Sequence, residues 1–432
     1  MNDVRGQEQI PELDFGKLEV VTALGRGAKG VVFLARNAAG DDDGEWLALK
    51  VISRELIERK AKIVNSDGAE YRRVCFEREV LRLFRHPLLP RLRGVLNTQK
   101  VVGYAIDYCN GRDLNTLRKK QTEKMFSDDV IRFYAAELVM ALEYVHSLGI
   151  VYRDLKPENV MVQHSGHIML VDFDLSTRLS QKSPKSSPSP SPSPSPSPAV
   201  EVLAESKFAM NEKINKKKNK KRFFHFHRFC NSGVSPEESE HQATAAEKPR
   251  SQPESPDSES SEKSNSFVGT EDYVAPEIVA GKGHDFAVDW WSLGVVLYEM
   301  LYGTTPFRGS NRKETFYRIL TKTPDLCGEA TALRDLIRKL LEKDPKKRIE
   351  LEEIKGHDFF KGTDWDLVLE MPRPPSLPEM AEEDINGNNL IDVESFVQDV
   401  FCREMEKKNQ INGDEGKGLI PNYTDSDTFH VF

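Results

Sequence analysis

Three short stretches carry residues whose types and spacing suit work on a phosphate. The longest is Tyr152-Arg153-Asp154-Leu155-Lys156-Pro157-Glu158-Asn159. Asp154 would accept or orient the proton of an attacking hydroxyl. Lys156 would neutralise charge developing on a transferred phosphoryl group, and the carboxamide oxygen of Asn159 suits Mg2+. A polar loop after a helix is the bland alternative, and it does not account for so long a pattern. Eighteen residues beyond Asp154, LVDFDLS places Asp172 at the end of an apolar run. A carboxylate there would bridge Mg2+ to nucleotide phosphates, with Phe173 free to dock into a core. The third stretch is Gly25-Arg26-Gly27-Ala28-Lys29-Gly30-Val31-Val32. Glycines at this spacing let the backbone approach phosphate oxygens closely. Alone it is a weak signal, and a glycine-rich hairpin turn explains it as well. A dinucleotide-binding reading needs a helix after the glycines. Strand-like residues lie on both sides here, which predicts a flap in a hairpin.

A lysine follows the flap, in Leu47-Ala48-Leu49-Lys50. On a strand it would lie between apolar neighbours and could face a phosphate cleft. Its expected partner is a carboxylate on the next helix. Glu77 and Glu79 are candidates, and Glu77 is preferred because Val80 and Leu81 follow it at spacings that turn them toward a core. Further on come Ser266-Phe267-Val268-Gly269-Thr270, Ala275-Pro276-Glu277, Asp289-Trp290-Trp291 and Arg348. Glu277 and Arg348 are expected to form a buried, bidentate and purely structural ion pair.

The elements that must hold these residues are legible in outline. Residues 18–52 alternate as strands around glycines. Residues 70–85 read as an amphipathic helix stopped by Pro87. Residues 127–148 form the clearest helix, with Ser127 as N-cap and Asp128 and Asp129 in the first turn. Its apolar face would be Val130, Phe133, Tyr134, Leu138, Ala141 and Val145. Helical patterns recur at 288–303, 313–320 and 331–343. Between them composition breaks: 183–198 is a Ser-Pro tract, Lys213–Phe229 a basic cluster, and 231–265 is rich in Ser, Glu and Pro. Residues 180–265 are therefore expected to be one disordered insertion.

Bulk numbers exclude several classes. The chain has 432 residues, 38% of them apolar and 30% charged, with a net charge of −8. That balance offers no global attraction to nucleic acid or membrane. The five cysteines are scattered without a CxxC pair, so neither a zinc site nor a disulfide framework is indicated. No signal-peptide core and no apolar run of about 18 residues is present, so no transmembrane segment is expected.

Taken in order, these motifs resemble a eukaryotic protein kinase over residues 18–360 apart from the insertion. The resemblance implies an α+β bilobal fold, with ATP and Mg2+ between a β-rich N-lobe (18–106) and a mainly helical C-lobe (107–360). Residues 1–17 would be an N-terminal extension. ATP would be held by Gly25, Arg26, Gly27, Ala28, Lys29, Gly30, Val32, Ala48, Lys50 and Glu77, and at a hinge by Asp107 and Cys109 beyond a gatekeeper at Ile106. Asp154, Lys156 and Lys50 would be catalytic, and Asn159 and Asp172 the metal ligands. Lys156 resembles the serine/threonine-specific signature.

A closer resemblance is to the AGC group. Tyr152 replaces the usual His, and FKGTDWDLVL looks like the start of an AGC tail (361–432) ending in FHVF. Asp172-Phe173-Asp174, in place of Asp-Phe-Gly, and the long insertion are similar to the plant AGC VIII kinases of PINOID, phototropin and UNICORN type. The UNICORN branch matches best. Signalling in plant growth and development is what that resemblance implies. With Lys50, Glu77, Asp154, Asn159 and Asp172 all present, a live enzyme is expected, not a pseudokinase scaffold. Asp174 is expected to alter the swing of Phe173 and not the chemistry.

The same resemblance suggests controls. Asp113, Glu158 and Glu299 would favour Arg or Lys two and three residues before the acceptor, unless they are ordinary surface acids. Phosphate on Ser266 would pair with Arg153, and Thr270 would position substrate beside Asp154. Phe429 and Phe432 would dock an upstream phosphoinositide-dependent kinase. The basic cluster at 213–229 reads equally as an anionic-lipid contact or a nuclear import signal, less well as a passive linker, and least as an RNA site. A monomer in cytoplasm and nucleus is expected, with peripheral plasma-membrane contact if lipid is the ligand.

Overall fold

The computed structural model describes residues 10–27, 30–37, 45–64, 69–179, 271–372, 390–401 and 430–431. Ala28, Lys29, Ser266, Thr270, Phe429, Phe432, the Ser-Pro tract and the basic cluster lie outside these residues, as does the insertion expected at 180–265.

The first half builds a sheet. Strands β1 (Leu18–Arg26), β2 (Gly30–Asn37) and β3 (Leu47–Ser53) are followed by helices α1 (Arg54–Val64) and α2 (Ala69–Leu83), then β4 (Leu92–Asn97) and β5 (Val101–Asp107). Alternation does the sorting. Leu47, Leu49 and Val51 of β3 join Val20, Val31 and Phe33 in one buried cluster. Lys50, out of phase with them, pairs across the ladder with Val32 on one side and Tyr104 on the other. Two glycines let the neighbouring strands close on this point. A Cβ at Gly30 would lie 2.3 Å from the Val51 carbonyl oxygen, and one at Gly103 equally close to that of Lys50. Gly30 is thus required by strand contact as much as by any phosphate.

The second half is mainly helical. It contains α3 (Leu114–Lys119), α4 (Asp128–Ser147), the small ribbons β6 (Ile150–Val151) with β9 (Thr177–Arg178) and β7 (Val160–Val162) with β8 (Ile168–Leu170), then α5 (Pro276–Val279), α6 (Ala287–Tyr302), α7 (Arg312–Thr321), α8 (Ala332–Leu340) and α9 (Leu351–Lys355). The α4 face expected from sequence is buried, but so are Ile131, Ala135, Glu137, Val139 and Leu142, because α4 is packed on most sides. Ser127 occupies the N-cap with extended backbone, yet its side chain makes no capping bond; its carbonyl accepts from Ile131 instead. Helix α6 is buried from Val288 to Met300 and stops at Gly303, whose φ of +73° suits glycine. Arg348 and Glu277 form the expected fork, Nη1–Oε1 2.7 Å and Nη2–Oε2 3.0 Å, both nearly inaccessible. Among the described residues no helix is long and apolar enough to cross a membrane.

Two features were not read from the sequence. Residues 11–13, within the expected N-terminal extension, lie against β4. Leu13 N–H donates to the Val95 carbonyl (2.8 Å) and Val95 N–H to that of Pro11 (3.0 Å), so this segment pairs along β4. The tail contains a helix over 393–401 (α10). Val393, Val397 and Phe401 of α10 are buried on the outer face of the sheet, with Phe396 edge-on to Phe33 at 5.5 Å. A last strand, β10 (His430–Val431), pairs parallel to β1, giving the sheet order β10-β1-β2-β3-β5-β4.

Candidate active site

Lys50 ties the two halves together. Its Nζ lies 3.0 Å from Glu77 Oε1 and 2.9 Å from Asp172 Oδ1. Burial works against the lysine's charge, but Asp172 and Glu77 outweigh it and hold its pKa well above the ordinary value. Burial also opposes ionisation of Asp172, yet Lys50 holds its pKa below the usual carboxylate range. Burial raises the pKa of Glu77, partly offset by Lys50. Glu77 and not Glu79 makes this contact; Glu79 is exposed, while Val80 and Leu81 are buried. Tyr104, which the sequence reading did not single out, lies beneath the lysine with its ring centroid 5.8 Å from Nζ.

The catalytic loop is anchored from below. Asp289, fully buried, accepts from Tyr152 N–H (2.9 Å) and Arg153 N–H (2.7 Å) and pairs with His146 Nε2 (2.7 Å). Tyr152 Oη donates to the Val171 carbonyl at 2.6 Å, which joins the loop to the strand end carrying Asp172. The Val171 N–H completes that joint by donating to the Asn159 carbonyl at 3.0 Å. Arg153 and Asp172 both have positive φ, +69° and +58°. Such backbone is uncommon outside glycine and concentrates at functional sites. Asp174 is not among the positive-φ residues, so the third position of the motif needs no glycine here. Phe173 is buried between Phe84 (4.7 Å) and Tyr152 (5.0 Å), which points Asp172 toward Lys50.

Asp154 Oδ2 accepts from Lys156 Nζ (3.1 Å) and Asn159 Nδ2 (2.9 Å). Burial raises its pKa, with Lys156 opposing. The other end of the carboxamide is the informative one. Asn159 Oδ1 is buried and has no hydrogen-bond partner. An orphaned buried acceptor is costly and needs an explanation. Asn159 and Asp172 offer hard oxygen ligands, and a divalent cation held by them would supply that explanation, so the residues present fit Mg2+.

At the other end of the cleft the side chains are already used. Asp107 accepts from Arg91 N–H (2.9 Å) and from Arg93 Nε. Cys109 Sγ lies 3.6 Å from Met169 Sδ, and burial pushes its thiol up to about 12. Only the backbone of these two residues is left for an adenine. The Arg26 side chain likewise turns to the tail, its guanidinium 5.0 Å from the Phe401 ring centroid.

Asp113, Glu158 and Glu299 converge, but each has local duties. Asp113 caps α3 through Thr116 N–H (2.8 Å). Glu299 pairs with Arg118 Nη2 (2.8 Å) and accepts from Tyr273 Oη. Glu158 Oε1 accepts from Asn115 Nδ2 (2.7 Å), whose Oδ1 in turn accepts from Arg118 at 2.9 Å. Glu158 Oε2 is buried without a partner. Burial raises the Glu158 pKa, and Glu299 and Asp113 add to it.

A two-lobed fold with a lysine–glutamate bridge, a loop aspartate and a metal-ready asparagine defines a phosphotransferase of protein-kinase type. The comparisons agree. The protein kinase domain family matches residues 18–221 and 255–360. The chain is 57% identical over 416 residues to the Arabidopsis thaliana serine/threonine-protein kinase OXI1, covering 95% of this chain and 91% of that one. It is 39% identical over 385 residues to the Arabidopsis kinase UCN (87% of each), and 38% identical over 367 residues to rice phototropin-2 (83% of this chain, 33% of that one). The chain therefore belongs to the protein kinase family, among the plant AGC VIII kinases of OXI1 and UCN type. ATP and Mg2+ are the phosphoryl donor and cofactor of that family.

Proposed function

We propose that this chain transfers the γ-phosphoryl group of ATP to Ser or Thr hydroxyls of proteins. The observation that carries this reading is the Lys50 bridge to Glu77 and Asp172, together with the orphaned Asn159 Oδ1. Asp154 orients the acceptor hydroxyl and takes its proton; Lys156, 3.1 Å away, moderates charge at the same point. Lys50 holds phosphate oxygens, and Glu77 fixes the lysine. Asn159 and Asp172 would hold Mg2+, which when bound neutralises phosphate charge. The intact set disfavours a nucleotide-binding scaffold. The test is Mg2+-dependent labelling of a protein acceptor from radiolabelled ATP by the chain and by Asp154→Asn. Loss of about 10²–10⁴-fold in kcat with unchanged folding is expected; equal labelling by both would remove Asp154 from the chemistry.

Finer features are part of the same proposal. The free Glu158 Oε2 is suited to a guanidinium of the substrate, with Glu299 and Asp113 adding negative potential; a peptide array without basic preference would exclude this. Burial lowers the Arg153 pKa and Arg73 adds to it, although Asp289 opposes, so phosphate on Ser266 would meet two cations. Phe429 and Phe432 would dock the upstream phosphoinositide-dependent kinase, tested by Ser266 phosphorylation of a double alanine variant. Cytoplasmic and nuclear residence, with or without lipid contact through 213–229, is tested by imaging a variant neutral in that cluster.

A further inference from the structure

A lysine drawn out of water ordinarily demands a countercharge. Lys50, Lys156, Lys339 and Lys355 obey this: all are half-buried, and each pairs with a carboxylate at 2.9–3.1 Å. Lys343, in the turn after α8, is half-buried too, and no carboxylate pairs with it. Its neighbour Glu342 turns its own carboxylate to the Asp344 N–H at 3.1 Å. The Lys343 amine lies instead among rings and backbone. Nζ is 3.9 Å from the Phe307 ring centroid and 4.7 Å from that of Trp291, two buried rings stacked at 5.5 Å. It donates to the Ile319 carbonyl of α7 at 2.6 Å. Arg348 lies over the same Trp291 ring at 5.2 Å, with its charge committed to Glu277. Ring faces attract an ammonium, but neither ring carries a countercharge. Burial lowers the Lys343 pKa to about 8; Arg348 adds to the fall and Glu342 opposes it.

We propose that Lys343 is an acylation site, whose ε-amine attacks acyl thioesters ahead of the exposed lysines among the described residues, because the fold draws it from water onto Trp291 and Phe307 without a carboxylate. The reaction balances without a further reagent. The Nζ lone pair attacks the thioester carbonyl carbon, the N–C bond forms and the C–S bond breaks. The thiol leaves with the proton that the amine gives up. Only the unprotonated amine reacts. At pH 7.5 an amine titrating near 8 is about one-quarter free base, against about one-thousandth for an ordinary lysine. A less basic nucleophile is also a weaker one, which returns part of that gain and leaves about tenfold. The product suits the site as well. An amide keeps one N–H for the Ile319 carbonyl and removes a cation that stands beside Arg348. None of these residues belongs to the phosphoryl-transfer site, so the inference is independent of the proposed function.

The test treats the full chain with acetyl-coenzyme A and reads the rate at each lysine by mass spectrometry, in buffer and in denaturing urea. In the folded chain at pH 7.5, Lys343 should acetylate about tenfold faster than Lys313, Lys322 and Lys346, which are exposed. In urea the four rates should become equal. Between pH 7 and pH 9 the folded-chain rate should rise about tenfold at Lys343 and about a hundredfold at the other three, because Lys343 passes through its titration in that interval. A Lys343 rate at or below that of the exposed lysines in the folded chain would overturn the inference and leave Lys343 a strut packed on two rings. An advantage that persisted in urea would overturn it too, since it would come from the neighbouring sequence and not from the fold.

Discussion

The catalytic loop and the nucleotide flap serve the same phosphoryl group but are held by opposite means. The loop is fixed from inside. Buried Asp289 takes two consecutive backbone N–H groups and His146, and Tyr152 and Asn159 tie the loop to the strand leading into Asp172. The flap is fixed from outside, by contacts with a tail far away in the chain. Groups that meet developing charge gain from being immobile beforehand. A cover over the phosphates has to open for exchange of nucleotide, and such segments come from the less stable end of a structure. The difference is one of permanence, and it can be broken or sharpened by substitution.

Glu277→Ala should have the largest effect. It strands the buried Arg348 guanidinium, and losing one partner of such a pair costs about 3–5 kcal/mol. Denaturant unfolding should shift to lower midpoints throughout the chain. Phe401→Ala removes a buried ring of comparable worth, about 3 kcal/mol in a core. It should loosen β1 and β2 in amide exchange while leaving the main transition in place. A matching fall in the global midpoint would mean that the flap is not separable from the rest.

Asp289→Asn comes next. The carboxamide keeps one acceptor oxygen but puts N–H donors against the Tyr152 or Arg153 N–H. An unsatisfied buried group costs about 1–3 kcal/mol. If that cost is felt mainly in the loop geometry, kcat falls about ten- to a hundredfold, with KM for ATP little changed. A rise in KM with constant kcat would show that the loop is not what Asp289 holds.

These two regions were not equally legible in sequence. Asp154, Lys156, Asn159, Asp172, Lys50 and Glu77 follow from local spacing, because they stand in four short segments (one loop, one strand end, strand β3 and helix α2) that the fold brings together. The fork between Glu277 and Arg348 was also expected, as a buried bidentate pair between the two motifs. The role of Asp289 was not, because a carboxylate that satisfies backbone N–H groups across a fold leaves no periodic mark. Helix α10 had a signal that the charge-rich surroundings hid: Val393, Phe396, Val397, Val400 and Phe401 recur at helical spacing. The parallel pairing of β10 is invisible in two residues, since register is set by the edge that receives them. Tyr273, Asn115 and Arg118 were likewise missed around the three acids, because their polar contacts are long-range.

Asp174→Gly should be milder than either change above. The positive φ of this motif falls on Asp172, so glycine at 174 relieves no strain and adds backbone freedom beside it. Asp174 N–H also helps hold the Asp172 carboxylate ionised, a bond that glycine keeps. Activity is expected to stay within about tenfold, with the Phe173 position less firmly held. Abolished activity in a folded protein would give the Asp174 carboxylate a direct catalytic role.

The smallest expected effect is a pH dependence behind the loop, in the β7–β8 hairpin. His167 Nδ1 pairs with the buried Glu137 carboxylate, which also accepts from Ile168 N–H at 2.8 Å. The bond to Glu137 raises the His167 pKa, with burial opposing. Burial raises that of Glu137, with His167 opposing. A histidine whose folded pKa exceeds its unfolded value of about 6.5 stabilises fully below that value. The stabilisation is lost as pH rises through the folded pKa. Glu137→Gln keeps an acceptor for Ile168 N–H but removes the charge. The stability gap between wild type and this variant should therefore be largest below about pH 6.5 and should shrink as pH rises through the folded His167 pKa. A gap that widened with pH would show that a charged His167 is not what stabilises this hairpin against Glu137→Gln.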